Sequence, residues 1–539
     1  MPASYQSQIL DHLGLVSGMF DELGIGDIID RAIDQNARKR QVSVGQAVKA
    51  LVLNGLGFVN QQLYLVPSFF DNKPTGRLIG AEITAAHLND DVLGRALDVL
   101  YDFGVTPLYT LIATEACQRL GLASSYVHLD TTSFHVDGRY NSADAPEETV
   151  IHITPGYSRD HRPDLNQVML ELIVEHQAGI PLLMKPLSGN SSDKVEFGRV
   201  VEEHISELCR AEKPLYLVAD SALYSAENLR KLAQGAVKWI TRVPATLKEV
   251  QAHLANPAPE AMASLTDGYR YREVSSHFGG VEQRWFLIYS EARQKRLKTT
   301  VDKQLTRQSD QERKAFKKLC AKTFACKPDA RQALEQCKGT LMLSQIEGAV
   351  IRAASHYGGR GRPQKGQAPE RVAYVIEGAL ASSLARRQAL LEQKSCFVLA
   401  TNDLDAQALC VQEVLSAYKG QSYPERGFRF LKDPQFLASS FYLKKPERIM
   451  ALLMVMTVCL LVYAALEHRL RKALGEHDET FPDQKGRPTQ RPTARWVFQV
   501  FVGIHVLLGV TDKPLILNLQ EHHLSLLKVM GTDYESLYS

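Results

Sequence analysis

The sequence predicts an α/β fold with a mixed sheet, preceded by a helical region and interrupted by an insertion. Three observations carry this. Apolar positions recur every three or four residues up to about residue 122, short β-branched runs take over from Ser125, and residues 246–394 break that rhythm before it resumes.

In the first region Val42–Phe58 and Asn89–Gly104 predict amphipathic helices, the second with Asn and Asp at its start and Gly at its end. Strand signals are nearly absent there. From Ser125 the runs YVHLDTTSF, QVMLELIVEH and IPLLMKPL predict strands, separated by turn formers such as GYSRD and SGNSSD. A helix over Lys194–Cys209, a strand in PLYLVADSALY, a helix over Ala226–Gln234 and a strand in VKWITRV complete this half. The interruption holds a hairpin (YRYREVSS and QRWFLIYS around FGGVE), a basic helical arm, and two strand-like runs around HYGGRGRPQKGQAP. Then follow the strand CFVLATN, a helix near Asp405–Ala417, the segment YKGQSYPERGFRFLKDP, a long apolar helix, and a last apolar helix over Trp496–Val510.

At 539 residues, with roughly 100–200 residues per domain, the chain holds three or four domains or one elaborated core. Apolar residues at 45% suffice for a sizeable interior, and a formal charge of +3 is too small to argue for nucleic acid by itself. Local charge says more: Arg293–Lys338 carries 14 Lys and Arg against 5 Asp and Glu. The eight cysteines form no C-x2-C pair, so a zinc site and a disulfide framework are not indicated and a reducing compartment is expected. MPASYQSQILDHLG has neither the basic start nor the apolar stretch of a signal peptide. Ile449–Leu466 is 18 residues without a charge, at the lower limit for a membrane span; with charges abutting it and no second span, it is assigned to the core of a soluble protein.

Two aspartates share a context. Asp130 in LDTTSF and Asp220 in LVADSALY each close an apolar strand run, where α/β folds place ligands. Alone, either would pass for a turn residue or helix cap. The third element is YKGQSYPERGFRFLK, which spaces Tyr418, Gln421, Glu425 and Lys432. This resembles the Tyr-Arg-Glu-Lys signature of insertion-sequence DDE transposases of the IS-four superfamily, and ERGFRFLKDP, GYSRDHRPDLNQ and PLSGNSSD resemble its IS-sixteen-thirty-four grouping. Gln421 departs from the signature's arginine; Arg426 or Arg429 is the substitute for the lost charge.

The resemblance implies an RNase H-like core in which Asp130, Asp220 and Glu425 hold two Mg²⁺ or Mn²⁺ ions, hard cations suited to carboxylates. It implies cleavage at the ends of an element and attack of the freed 3′-OH on target DNA, with a homodimer bridging two ends. Tyr418, Gln421, Arg426, Arg429 and Lys432 are the expected backbone contacts, and Arg360 and Arg362 in GRGRP resemble an AT-hook reaching a narrow minor groove. The domains expected are a helical DNA-binding region (1–122), a catalytic core in two parts (123–245 and 395–475), the insertion (246–394) and a helical C-terminal region (476–539) that serves dimerisation or DNA contact. His522 and His523 are read as structural, and Asp137, Asp160, Asp164 and Asp193 as caps and turns. The setting expected is bacterial cytoplasm, with no membrane and no small-molecule substrate. Two alternatives stay open: a catalytically silent DNA-binding protein of the same fold, and a structure-selective nuclease that never joins.

Overall fold

The computed structural model describes residues 6–33, 40–58, 65–123, 125–136, 140, 150–156, 162, 164–191, 216–266, 268–357, 369–433, 443–509 and 513–539. Strand β1 (Gln6–Ile9) and helices α1 (Leu13–Glu22), α2 (Ile25–Ala32), α3 (Val44–Leu56), α4 (Asp90–Phe103) and α5 (Val105–Leu120) open the chain. Their ends are written in the sequence. Ser43 and Gln46 cap the start of α3 reciprocally. Asn89 accepts from Val92 N at 3.0 Å at the start of α4, and Gly104 ends that helix at a φ of 103°.

The sheet strands follow: β2 (Tyr126–His135), β3 (Thr154–Pro155), β4 (Asn166–Glu175), β5 (Pro181–Ser188) and β6 (Tyr216–Ala219), then α6 (Ala226–Gln234) and β7 (Lys238–Arg242). The middle of the chain supplies β8 (Ala263–Thr266), β9 (Tyr269–Phe278), β10 (Val281–Ser290), α7 (Glu291–Cys320), α8 (Lys327–Thr340), β11 (Ser344–His356), β12 (Arg371–Ser382), α9 (Leu384–Ser395) and β13 (Cys396–Thr401). Last come α10 (Val411–Lys419), α11 (Ser422–Leu431), α12 (Pro446–Glu476), α13 (Ala494–Val500), β14 (His505–Leu508), β15 (Leu515–Leu517) and α14 (Glu521–Met530). The helix expected over Lys194–Cys209 lies outside the described residues.

By contacts the chain falls into two compact units. The first comprises 1–241, 279–281 and 414–539. Its sheet is mixed: β4 pairs antiparallel with β2, β3 and β5, while β2, β6 and β7 run parallel. One continuous apolar core runs from Leu10 to Tyr538. At its centre lies α12, whose apolar window is 89% buried in protein, so the candidate span is a core helix. It packs on α1, α3, α4, α5, α11, α13 and α14 and meets the sheet at β5. That sheet is the one that presents Asp130 and Asp220, and helices cover most of the remaining surface of α12, because a helix apolar all round needs partners all round.

Two expectations change. The apolar stretch Trp496–Val510 is a short helix followed by a strand, since Gly503 turns at a φ of 93° and β14 then pairs with β1. That pairing also places a strand, β1, at the start of the region read as helical, where a tertiary partner far along the chain outweighs local propensity.

The second unit comprises 242–278 and 282–413. Its sheet runs β13-β10-β9-β8, held by Arg284, which donates to Glu273 at 2.7 Å and to the Leu409 carbonyl at 3.0 Å. Strands β11 and β12 form a separate antiparallel ribbon, and Phe324, Ala330, Leu334 and Ile376 make a small satellite core between it and α8. The basic stretch read from the sequence is helical, the 30-residue α7 followed by α8.

Candidate active site

Strands β2 and β6 are parallel, and their last matched pair is Leu129 with Ala219. Asp130 and Asp220 are each the next residue. In-register residues on parallel strands face the same side, and neighbouring strands lie about 4.8 Å apart. The two carboxylates therefore stand side by side, both half-buried. Asp220 follows the end of its strand, as expected. Asp130 does not: β2 continues to His135 against β4, so Asp130 is mid-strand and marks only the end of the pairing with β6. Each carboxylate is anchored by its own turn of backbone, Asp130 accepting from Thr131 N and Asp220 from Ala222 N, both at 2.8 Å. Thr241 on β7 donates to the Asp220 carbonyl at 2.7 Å, fixing where β6 ends.

Helix α11 lies over the same face of β2. Gln421, at its start, donates to the Leu129 carbonyl at 3.1 Å and accepts from His128 Nδ1 at 3.3 Å. Lys432, at its end, sits 5.9 Å from the ring centre of Phe134. His128, Asp130 and Phe134 alternate along β2 and share a face. The lengths agree: the eleven helical steps from Gln421 to Lys432 rise ~16.5 Å, and the five strand steps from Leu129 to Phe134 span the same ~16.5 Å. Helix and strand thus run side by side in one direction. Glu425, one turn past Gln421, stands ~6 Å along, about level with Asp130 and Thr131.

Glu425 is exposed, and among the described residues no three His, Cys, Asp or Glu side chains lie close enough to hold a metal ion. The sheet joins two of the three expected acids. The third is on the helix above, at about the same level.

Behind the pair lies a cluster that the sequence did not single out. His128 Nδ1 donates to the Gln421 amide oxygen, so its Nε2 accepts from His176 Nδ1 at 2.8 Å. Burial, then the neighbouring His176, push the His128 pKa down to about 4, with the bond to Gln421 opposing. Gly420 completes the fit: a Cβ there would collide with both imidazoles. The one available signal was period two, which places His128 on the face of Asp130.

The other expected residues separate. Gln421 is corrected: it is 8% exposed, and its amide is spent on His128 and Leu129 instead of facing solvent. Tyr418 belongs to α10, and the break at Gly420 separates it from the helix of Glu425 and Lys432. Pro424 falls in the first turn of α11, where its missing N–H is harmless. Arg426 and Arg429 are exposed, Arg426 stacking 4.5 Å from the Tyr423 ring centre. Arg360, Arg362, Asp137, Asp160 and Asp193 lie outside the described residues. Asp164 pairs with Arg162 in a turn, and His523 is buried, bonding the Val500 carbonyl at 3.0 Å.

The family described as "Transposase DDE domain" matches residues 127–462, more than half of the chain and the whole of the β2 to α11 arrangement. A second family, a domain of unknown function (DUF4277), matches residues 5–114. No curated protein matches. Among solved structures, a cryo-EM structure of a piggyBac transposase synaptic complex with hairpin DNA is similar over 93% of this chain and 82% of that chain, at 11% identity and a TM-score of 0.37.

Proposed function

This chain belongs to the DDE transposase family and is a transposase enzyme, and from that premise we propose that it binds the terminal inverted repeats of its own element, cleaves there, and joins the freed 3′-OH to target DNA. The single observation that carries the assignment of residues is the register that sets Asp130 beside Asp220 inside the family's domain, with α11 bringing Glu425 to their level. We take Asp130, Asp220 and Glu425 as the acidic triad of an RNase H-like core, within the insertion-sequence IS-four superfamily and its IS-sixteen-thirty-four-like grouping.

DDE transposases generally use divalent cations. The donors fit that chemistry: adjacent carboxylates, each with one oxygen held by a backbone N–H, are hard ligands of the kind Mg²⁺ and Mn²⁺ prefer. Two ions bound there would stabilise the attacking and leaving oxygens of an in-line displacement. Asp130, Asp220 and Glu425 are the residues that would hold them. Arg426, Arg429 and Lys432 hold the phosphate backbone near the cut, and Tyr418 approaches it from α10. The protein would act on element ends and target DNA in the bacterial cytoplasm, as a dimer that brings two ends together.

Replacing Asp130 or Asp220 by Asn, or Glu425 by Gln, is expected to abolish Mg²⁺-dependent cleavage while end binding persists, since binding rests on phosphate and base contacts elsewhere. A variant that cuts its cognate end at the wild-type rate would remove that residue from the triad. Strand-transfer products separate a transposase from a nuclease that only hydrolyses, and cleavage of any kind excludes a silent DNA-binding protein.

A further inference from the structure

The turn between β4 and β5 bears on the helix that carries Glu425, and it is built to resist. Glu175, the buried last residue of β4, accepts from the backbone N–H groups of Gln177 (2.7 Å), Ala178 and Gly179 (2.8 Å), and its own N–H donates to the Ile180 carbonyl at 2.9 Å. A buried carboxylate holding three N–H groups gives up none of them cheaply, because a buried charge is costly unless hydrogen-bonded. The turn is therefore stiff. It meets α11 at Tyr423: a Cβ on Gly179 would stand 3.1 Å from Tyr423 Cδ1.

Three other groups meet the same ring. His176, within the turn, lies edge-on at 5.6 Å between ring centres, His128 at 6.2 Å, and the Arg426 guanidinium sits 4.5 Å above it. The Tyr423 N–H donates to the Gly420 carbonyl at 2.8 Å, so the ring is set where α11 begins. Tyr423 is half-buried and Glu425 exposed; two residues apart, they lie ~200° round the helix from each other. One side of α11 thus takes the support and the opposite side carries the acid. Further along, Gly427 rests on Leu460, the flexible end of a side chain that can yield. Resistance to rolling falls on Tyr423. A roll of ~10° moves a group roughly 5–6 Å from the helix axis by ~1 Å, and a shift of that size can cost on the order of 100-fold in rate.

We propose that Tyr423 is a positioning residue for cleavage: wedged against the β4–β5 turn, its ring fixes the roll of α11 and hence where the Glu425 carboxylate stands. The proposal rests on the triad reading above for what the helix delivers, whereas the brace itself does not depend on it. The role belongs to the ring and not to its hydroxyl.

The test compares full-length Tyr423→Phe, Tyr423→Leu, Gly179→Ala, Arg426→Gln and Glu425→Gln with wild type. Three quantities are measured: single-turnover cleavage of the cognate end with Mg²⁺, affinity for that end without metal, and hydrogen exchange followed by peptide mass. Tyr423→Leu should slow cleavage by about 10- to 100-fold and speed exchange in the peptide covering 422–431, with exchange in α12 unchanged. Its affinity should fall no further than that of Arg426→Gln, which measures the loss of the guanidinium that the ring supports. Tyr423→Phe should match wild type in all three. Gly179→Ala, which pushes on the ring from the turn, should slow cleavage as well. Wild-type cleavage in Tyr423→Leu, a slowing explained by lost affinity, or a Tyr423→Phe protein as slow as Tyr423→Leu overturns the proposal. If Tyr423→Leu loosens α11 and cuts slowly while Glu425→Gln still cuts normally, the triad reading fails and the brace stands.

Discussion

Gln421 stands where the resemblance read from the sequence expects arginine, and its surroundings do not suit a charge. Its amide bridges His128 and the Leu129 carbonyl in a site 8% exposed. A guanidinium there would be buried beside a neutral imidazole, and burying a charge costs several kcal/mol unless it is paired. Gln421→Arg is therefore expected to lower the denaturation midpoint and not to improve DNA binding; a variant of wild-type stability with tighter DNA binding would refute the buried role. His128 adds a pH dependence. Its pKa falls from 6.5 in the unfolded chain to about 4 in the fold, so the unfolded state takes up the proton first. Stability is then full above pH 6.5 and is lost as pH falls towards 4, on the order of 3 kcal/mol for this one group. His128→Asn should lower stability at pH 7.5 but flatten its fall between pH 6.5 and 4.5, measured by urea midpoints. A parallel fall in both proteins would assign the acid sensitivity elsewhere, such as to buried His12, also lowered to about 4.

At the scale of elements, the pose of α11 sets where Glu425 stands. Two glycines allow the approach. A Cβ on Gly427 would meet Leu460 Cδ2 of α12 at 2.9 Å, the mobile end of a side chain that can yield. A Cβ on Gly420 would meet the rings of His128 and His176, which are hydrogen-bonded to each other and cannot. Gly420→Ala is thus expected to reduce cleavage far more than Gly427→Ala, because moving a reacting group by about 1 Å can cost on the order of 100-fold in rate. Equal effects would mean that α11 is positioned by other contacts. Below it, Leu460 is 4% exposed within α12. Leu460→Asp buries an unpaired carboxylate and should yield insoluble or unfolded protein, and a soluble, fully active variant would disprove the core assignment of α12.

Over the first compact unit, the helices before β2 are not packed as a separate body. They share one core with α12 and the C-terminal segment. Arg448 on α12 pairs with Asp98 on α4 at 2.6 Å, and Arg469 with Glu22 at 3.1 Å. Tyr538, near the other end of the chain, donates to the Asp11 carbonyl at 2.7 Å and packs on Gly14. A fragment of residues 1–122 would expose the face that α12 covers, and it should lack a cooperative thermal transition. A cooperatively folded, DNA-binding fragment would show that the helical DNA-binding region expected over 1–122 stands by itself.

Local patterning made several elements legible by itself: the capped helices α3 and α4, the apolar runs of β2, β4 and β5, and helix α6 over Ala226–Gln234. It also brought Asp130, Asp220 and Glu425 to notice through spacing and family resemblance. Period and capping act within a few residues, so a linear reading reaches that far. Register does not. That Leu129 pairs with Ala219, that β1 finds β14 some 500 residues away, and that α11 lies along β2 depend on partners distant in the chain. The same holds for polar groups. Gln421 reads as a surface contact until His128 and Gly420 close around it, because the cost of burying an amide depends on what surrounds it, and only the folded chain supplies those surroundings.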